Sequence, residues 1–182
     1  VALELRDFDI LQPLFFDSQV SHESLVRHSS ETGIIELLFR PRDGISEWTL
    51  HARGIVGRSP LVGKKKTAPQ AGPVIVLKSK IYEVSRTLGL GYGPTFQRLE
   101  RVSFPHPKLA VGDLSATQSL PQAPYVTDLT AFDAAFHALF ASEEAGVADM
   151  PMKRFLPVRL GLVRVYKAGA VAAQVVARTI RQ

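Results

Sequence analysis

The chain has 182 residues, 46% of them hydrophobic, and a formal net charge of +5, a balance that fits a folded protein and excludes a disordered one. It contains no cysteine, which excludes disulfides, thiolate catalysis and cysteine-ligated zinc and fits the cytoplasm. No apolar run approaches the roughly 20 residues of a membrane span, and the opening VALELRDFDI has neither the basic start nor the apolar stretch of a signal peptide.

The length allows one domain or two small subdomains. In the first segment Val1, Leu3 and Leu5 alternate with Ala2, Glu4 and Arg6, the period of a strand with Leu3 and Leu5 on one face. Residues 33–40, the turn Pro41-Arg42-Asp43-Gly44 and residues 47–57 predict a β-hairpin. His22 and His28 fall in a polar stretch and read as surface residues. Residues 58–73 then change character: RSPLVGKKKTAPQAGP holds three prolines, two glycines and four basic residues. Without interleaved aromatics, the Lys64-Lys65-Lys66 run reads as a solvated linker and not as a nucleic-acid surface.

The second half opens on the apolar run Val74–Leu77, followed by a predicted helix over 79–88 with Gly89 as its C-cap. Strands are predicted at 96–104 and 109–118. A longer helix follows at 128–144, with Asp128 as N-cap and Phe132, Phe136, Leu139 and Phe140 as its apolar stripe. Two strands, 159–166 and 171–180, joined around Gly169, close the chain. The pattern is α+β: curved antiparallel sheet, in the second half wrapped on one apolar helix. The first half shows strands but no comparable helix. The expected partition is 1–60 as an incomplete first half, 61–73 as a linker and 74–182 as a second half.

Two stretches can carry chemistry. Asp133 and His137 stand at i and i+4, on one helix face. Such a pair is ordinarily a surface contact worth a few tenths of a kcal/mol. The apolar neighbours Phe132, Ala134, Ala135, Phe136 and Ala138 narrow the lead of that reading, without reversing it, over a second role, a carboxyl that holds its proton and donates it. The run Gly89-Leu90-Gly91-Tyr92-Gly93-Pro94-Thr95-Phe96-Gln97 reads as a rigid turn presenting a Tyr hydroxyl, with Gly91 and Gly93 permitting torsions other residues avoid; on the residues alone a purely structural turn and a functional one stand level. It makes a poor phosphate loop, since no Lys-Ser/Thr follows. His22, His28, His51 and His106 lack partners at metal-ligand spacing, and no Gly-x-Ser-x-Gly elbow of a serine hydrolase occurs.

Taken in order, these stretches resemble the dehydratase domain of modular polyketide and fatty acid synthases. Trp48 to Gly54 resembles a late strand of that family's first half, Tyr82 to Gln97 its helix and YGPxFQ signature, Asp128 to His137 its D-x-x-x-Q/H helix, and Leu156-Pro157-Val158 its LPx motif. The resemblance implies a double hot-dog fold, one curved sheet and central helix per half, with the first half incomplete. It implies removal of water from a 3-hydroxyacyl chain on an acyl carrier protein to give a 2-enoyl thioester. A His of the first half takes the C2 proton and Asp133 protonates the departing hydroxyl. His137 supports Asp133, Tyr92 supports the site, and Gly93, Pro94, Phe96, Leu156 and Pro157 line the pocket. No metal and no cofactor is implied beyond the carrier's phosphopantetheine. The implied partners are the acyl carrier protein and other synthase domains, with a homodimer as a further assembly and neither nucleic acid nor membrane.

One departure stands out. The family's base lies in an H-x-x-x-G-x-x-x-x-P motif, and none of the five histidines fits it; His51, with Gly54 and Pro60, comes nearest and lies in a predicted strand. The sequence therefore reads as a dehydratase piece lacking its base, starting after the first helix and stopping after a strand without a hairpin partner. Alternatives are a pyran-forming or cyclase variant of the same fold, and an inactive structural relative.

Overall fold

The computed structural model of the chain describes residues 2–15, 19–59, 69–116, 125–147 and 156–180. In chain order the elements are β1 (Ala2–Ile10), β2 (His22–His28), β3 (Ile34–Pro41), β4 (Thr49–Ser59), β5 (Val74–Leu77), α1 (Lys78–Thr87), a short 3-10 turn (Pro94–Phe96), β6 (Leu99–His106), β7 (Leu109–Leu114), α2 (Leu129–Glu144), β8 (Arg159–Val165) and β9 (Gln174–Arg178). They divide into two compact units, Val1–Lys64 with Phe155–Tyr166, and Lys65–Arg154 with Lys167–Gln182.

The first unit is a five-stranded antiparallel sheet in the order β2-β3-β4-β1-β8. The expected hairpin is β3 and β4. Its connection is tightened by Asp43, whose carboxylate accepts the amides of Ile45 and Ser46 and the Ser46 hydroxyl while Gly44 takes a φ of 77°. Register lines up Arg27, Glu36, Arg53, Asp9 and Arg159 across all five strands, an alternation of sign that favours this pairing over a slipped one. No helix occurs among the described residues of this unit.

The polar stretch holding His22 and His28 forms a strand, β2, held by register with β3 although its own pattern does not alternate, and His28 is exposed. In β1 the buried side chains are Ala2 and Glu4. Glu4 is satisfied by Arg164 of β8, whose guanidinium, with the Ser59 hydroxyl, keeps the carboxyl below its ordinary value. Finally, β8 and β9 do not form a hairpin. β8 pairs with β1 through Leu3↔Val165 and Leu5↔Val163, so the stretch 159–165 of the expected second half belongs with the first unit. β9 pairs with β7 and does not lack a partner.

The second unit is the four-stranded antiparallel sheet β5-β6-β7-β9 with α1 and α2 packed on it. Val76, Val102, Gly112 and Val175 are paired in one row across the four strands. Gly112 is required there: a Cβ would stand 2.5 Å from Leu99 and 2.9 Å from Val175. The long helix buries Thr130, Ala131, Ala134, His137, Ala138 and Ala141, a stripe of mostly small side chains that lets the helix approach the sheet closely. The expected aromatic stripe is largely not the buried face. Phe140 is buried, but Phe132 and Leu139 are 38% and 40% exposed, and Phe132 packs edge-on against Phe136 at 5.6 Å. The helix–sheet arrangement is that of a hot-dog.

Candidate active site

The start of α2 is fixed from the side. Asp128 caps it by accepting the Ala131 amide at 3.0 Å and the Thr130 hydroxyl at 2.8 Å. Arg98, itself buried, donates to both Asp128 oxygens at 3.3 and 3.2 Å, to Thr130 Oγ1 at 2.6 Å and to the Ser115 carbonyl. Burial by itself raises the Asp128 carboxyl. The Ala131 amide, the Thr130 hydroxyl and the Arg98 guanidinium together outweigh it and hold the group below its usual range. Arg98 follows directly on the YGPTFQ run, so this buried ion pair ties that loop to the helix carrying Asp133.

The loop is fixed at both ends. α1 ends in a Schellman arrangement: the Gly89 amide donates to Arg86 and the Leu90 amide to Ser85, both at 2.9 Å, with Gly89 at φ 75°. Gly89 is thus the left-handed residue. Gly91 and Gly93 do not use the torsions that glycine permits: neither lies in the left-handed region, Gly93 is extended at φ −71°, and open space surrounds both. The 3-10 turn starting at Pro94 then closes with the Gln97 side chain donating to the Tyr92 carbonyl at 2.7 Å, which gives the final Gln of the run a structural task.

These two constraints bring Tyr92 onto α2. Its ring lies 4.0 Å from the His137 ring, centroid to centroid, and Phe140 lies 5.9 Å from His137 on a nearly parallel plane. Tyr82 of α1 meets His137 edge-on. His137 is wholly buried in this aromatic setting, and its Nε2 is 2.9 Å from Oδ2 of Asp133. The two atoms are close but off line: Nε2 makes no aligned hydrogen bond. The Asp133 side chain is 36% exposed, so the apolar neighbours do not enclose it as the sequence suggested; they turn to the sheet or stand beside it. The nearby Asp133 charge, after burial itself, raises the Tyr92 hydroxyl above its usual value. That phenol therefore keeps its proton and remains a donor.

The structure thus gathers Asp133, His137 and Tyr92 in the second unit. Gly93, Pro94 and Phe96 lie on the adjoining loop, all exposed. Leu156 and Pro157 belong to the first unit, exposed just before β8. His51 sits in β4 as expected, with its ring edge-on to Phe39 and Nδ1 3.3 Å from the Gln12 carbonyl. Arg98 and Tyr82 were missed in sequence, since nothing local distinguishes a buried Arg or Tyr from an exposed one. A cleft of about 270 Å³ lined by Lys78, Thr95, Gln97, Arg98, Glu100 and Ser115, among others, does not include Asp133. Among the described residues, no three His, Asp or Glu side chains stand together where they could hold a metal ion.

Comparison with known proteins bears on this geometry. No curated protein sequence matches the chain. Among solved structures it is similar to the dehydratase domain from the CurF module of the curacin polyketide synthase, with a TM-score of 0.75 and 19% identity over 99% of this chain. It is similar also to a trans-AT polyketide synthase dehydratase domain from Brevibacillus brevis, with a TM-score of 0.74 and 20% identity over 97% of the chain. A third is the dehydratase domain of a mycocerosic acid synthase-like polyketide synthase, with a TM-score of 0.74 and 18% identity over 98% of the chain. At these identities the likeness establishes the fold, and the chain spans 66%, 63% and 64% of those three chains. The family described as the polyketide synthase dehydratase N-terminal domain matches residues 62–182, which include α1, the Tyr92 loop and all of α2. The chain belongs to the polyketide synthase dehydratase family.

Proposed function

We propose that this chain supplies the proton-donating half of a dehydratase that converts 3-hydroxyacyl thioesters, carried on the phosphopantetheine of an acyl carrier protein, into 2-enoyl thioesters. The observation that carries this reading is the Asp133 carboxyl, partly open to solvent and backed by a wholly buried His137 at 2.9 Å. Elimination requires a base at C2 and an acid at the C3 hydroxyl, held on one substrate. Asp133 gives its proton to the departing hydroxyl, which leaves as water. Tyr92 is the neighbouring neutral donor, and the exposed turn at Gly93 and Pro94, with Phe96, lies against the hydroxyl end of the substrate. The C2 proton goes to a base outside these 182 residues, since none of the five histidines has the family's motif. The other synthase domains and the carrier protein are the partners this function needs.

The reverse reaction tests it. The whole gene product carrying this sequence, given a 2-enoyl pantetheine thioester in oxygen-18 water, is expected to place the label at C3. Return of unlabelled thioester under conditions where the protein remains folded would count against the dehydratase reading and favour a structural role.

A further inference from the structure

We propose that Tyr82 is a positioning residue for the acid, holding the proton of His137 on Nε2 so that the ring faces Asp133 as a donor. The inference rests on the reading of Asp133 as the acid but concerns a residue to which neither the family motifs nor the substrate assigns a task.

Tyr82 is 4% exposed, and its hydroxyl is the meeting point of four elements. It accepts the Leu99 amide at the start of β6 at 3.2 Å. It lies 3.3 Å from the Phe96 carbonyl on the Tyr92 loop, and 3.3 Å from Nδ1 of His137 on α2. A phenol has one proton to give, so it goes either to Phe96 or to His137. On the far side of the ring, Nε2 stands 2.9 Å from a carboxyl oxygen. Once Asp133 has given up its proton, Nε2–H is the form of His137 that can meet the carboxylate at this distance, so in that state Nε2 carries the proton. A neutral imidazole then has a bare Nδ1, which must accept. The Tyr82 hydroxyl is the donor in reach among the described residues, and Leu99 supplies the hydrogen bond that the Tyr82 oxygen then accepts. The donors run from the Leu99 amide to the Tyr82 hydroxyl to His137, with the Asp133 carboxyl beside Nε2.

The arrangement does mechanical work as well. Since Nε2 is off line with Oδ2, the carboxyl is close to His137 without being locked onto it. It can turn toward a substrate hydroxyl and, once it has given up its proton, receive Nε2–H. Tyr82, anchored by β6 and the loop, fixes the ring against which Asp133 moves.

Nitrogen-15 NMR of the chain with labelled histidine tests this, with the His137 signals assigned by their absence in His137→Gln. The wild-type chain at neutral pH is expected to show His137 as the single Nε2–H tautomer. Protonation on Nδ1, on both nitrogens, or averaging between tautomers overturns the proposal. Tyr82→Phe, which keeps the ring, is expected to release Nδ1 and mix the tautomers. An unchanged His137 spectrum in that variant also overturns it. In the whole gene product Tyr82→Phe should lower kcat by about tenfold or more with KM little changed. Because the spectrum needs no substrate, a failure to detect dehydration speaks against the acid role of Asp133, whereas a wrong tautomer speaks against Tyr82.

Discussion

Asp133 and His137 stand one turn apart on α2 and meet at 2.9 Å, yet one is wholly buried and the other 36% exposed. The pair therefore divides into a fixed member and a free one, and substitutions at the two positions should differ in kind. Asp133→Asn removes no core contact and should leave unfolding free energy within about 0.5 kcal/mol of wild type. His137→Ala empties a buried site between Tyr82, Tyr92 and Phe140 and should cost about 3–5 kcal/mol, as for other buried rings. Urea unfolding of the two variants distinguishes them.

Tyr92 reaches the pair by stacking, with its ring 4.0 Å from that of His137. Tyr92→Phe retains that contact and removes only the hydroxyl. Turnover of a 3-hydroxyacyl thioester should fall less than in Asp133→Asn, where general acid catalysis worth about 10²–10⁴-fold is lost. Steady-state rates for both variants check this, and an equal or larger loss for Tyr92→Phe would reverse the two roles.

The anchor of α2 is the buried pair of Arg98 and Asp128. Asp128→Ala removes the cap and leaves a buried guanidinium unpaired, at a cost of about 3–5 kcal/mol. The Asp128 carboxyl is held below its ordinary value in the folded chain, so its contribution is present above the unfolded pKa, about 3.9, and is lost as pH falls through the folded value. Wild-type stability should therefore drop below about pH 4 more steeply than that of Asp128→Ala, which denaturant unfolding across pH 2–6 measures.

Tyr82 gives the opposite pH signature. Burial pushes its hydroxyl from 10.0 up to about 12. A raised folded pKa contributes stability that is complete below the unfolded value and is lost as pH rises through the folded one. Unfolding between pH 10 and 12 should therefore be steeper for wild type than for Tyr82→Phe, as followed by circular dichroism.

Much of this was legible in sequence where the signal is local. The hairpin of β3 and β4 announces itself by composition and by the Asp43-Gly44 turn, and α2 by its length and its Asp128 cap. Asp133, His137 and the Tyr92 loop came from motif order. What failed was long-range or a matter of facing. β8 follows α2 in the chain but pairs with β1, 150 or more positions away, and no periodicity encodes that choice. α2 offers an aromatic stripe and an alanine stripe, and hydrophobicity favours the first. The sheet takes the second: Ala134, Ala138 and Ala141 are buried in one core with Val76, Val102 and Val175. Tyr82 and Arg98 became visible only once α1, β6 and α2 were placed together.

The most direct test of the central claim is mass spectrometry of a carrier-bound 3-hydroxyacyl thioester incubated with the whole gene product, in wild-type form and as Asp133→Asn. Loss of one water with the wild type and almost none with the folded variant is the expected result. Equal loss of water in both forms, or none in either, would contradict Asp133 as the acid of a dehydratase.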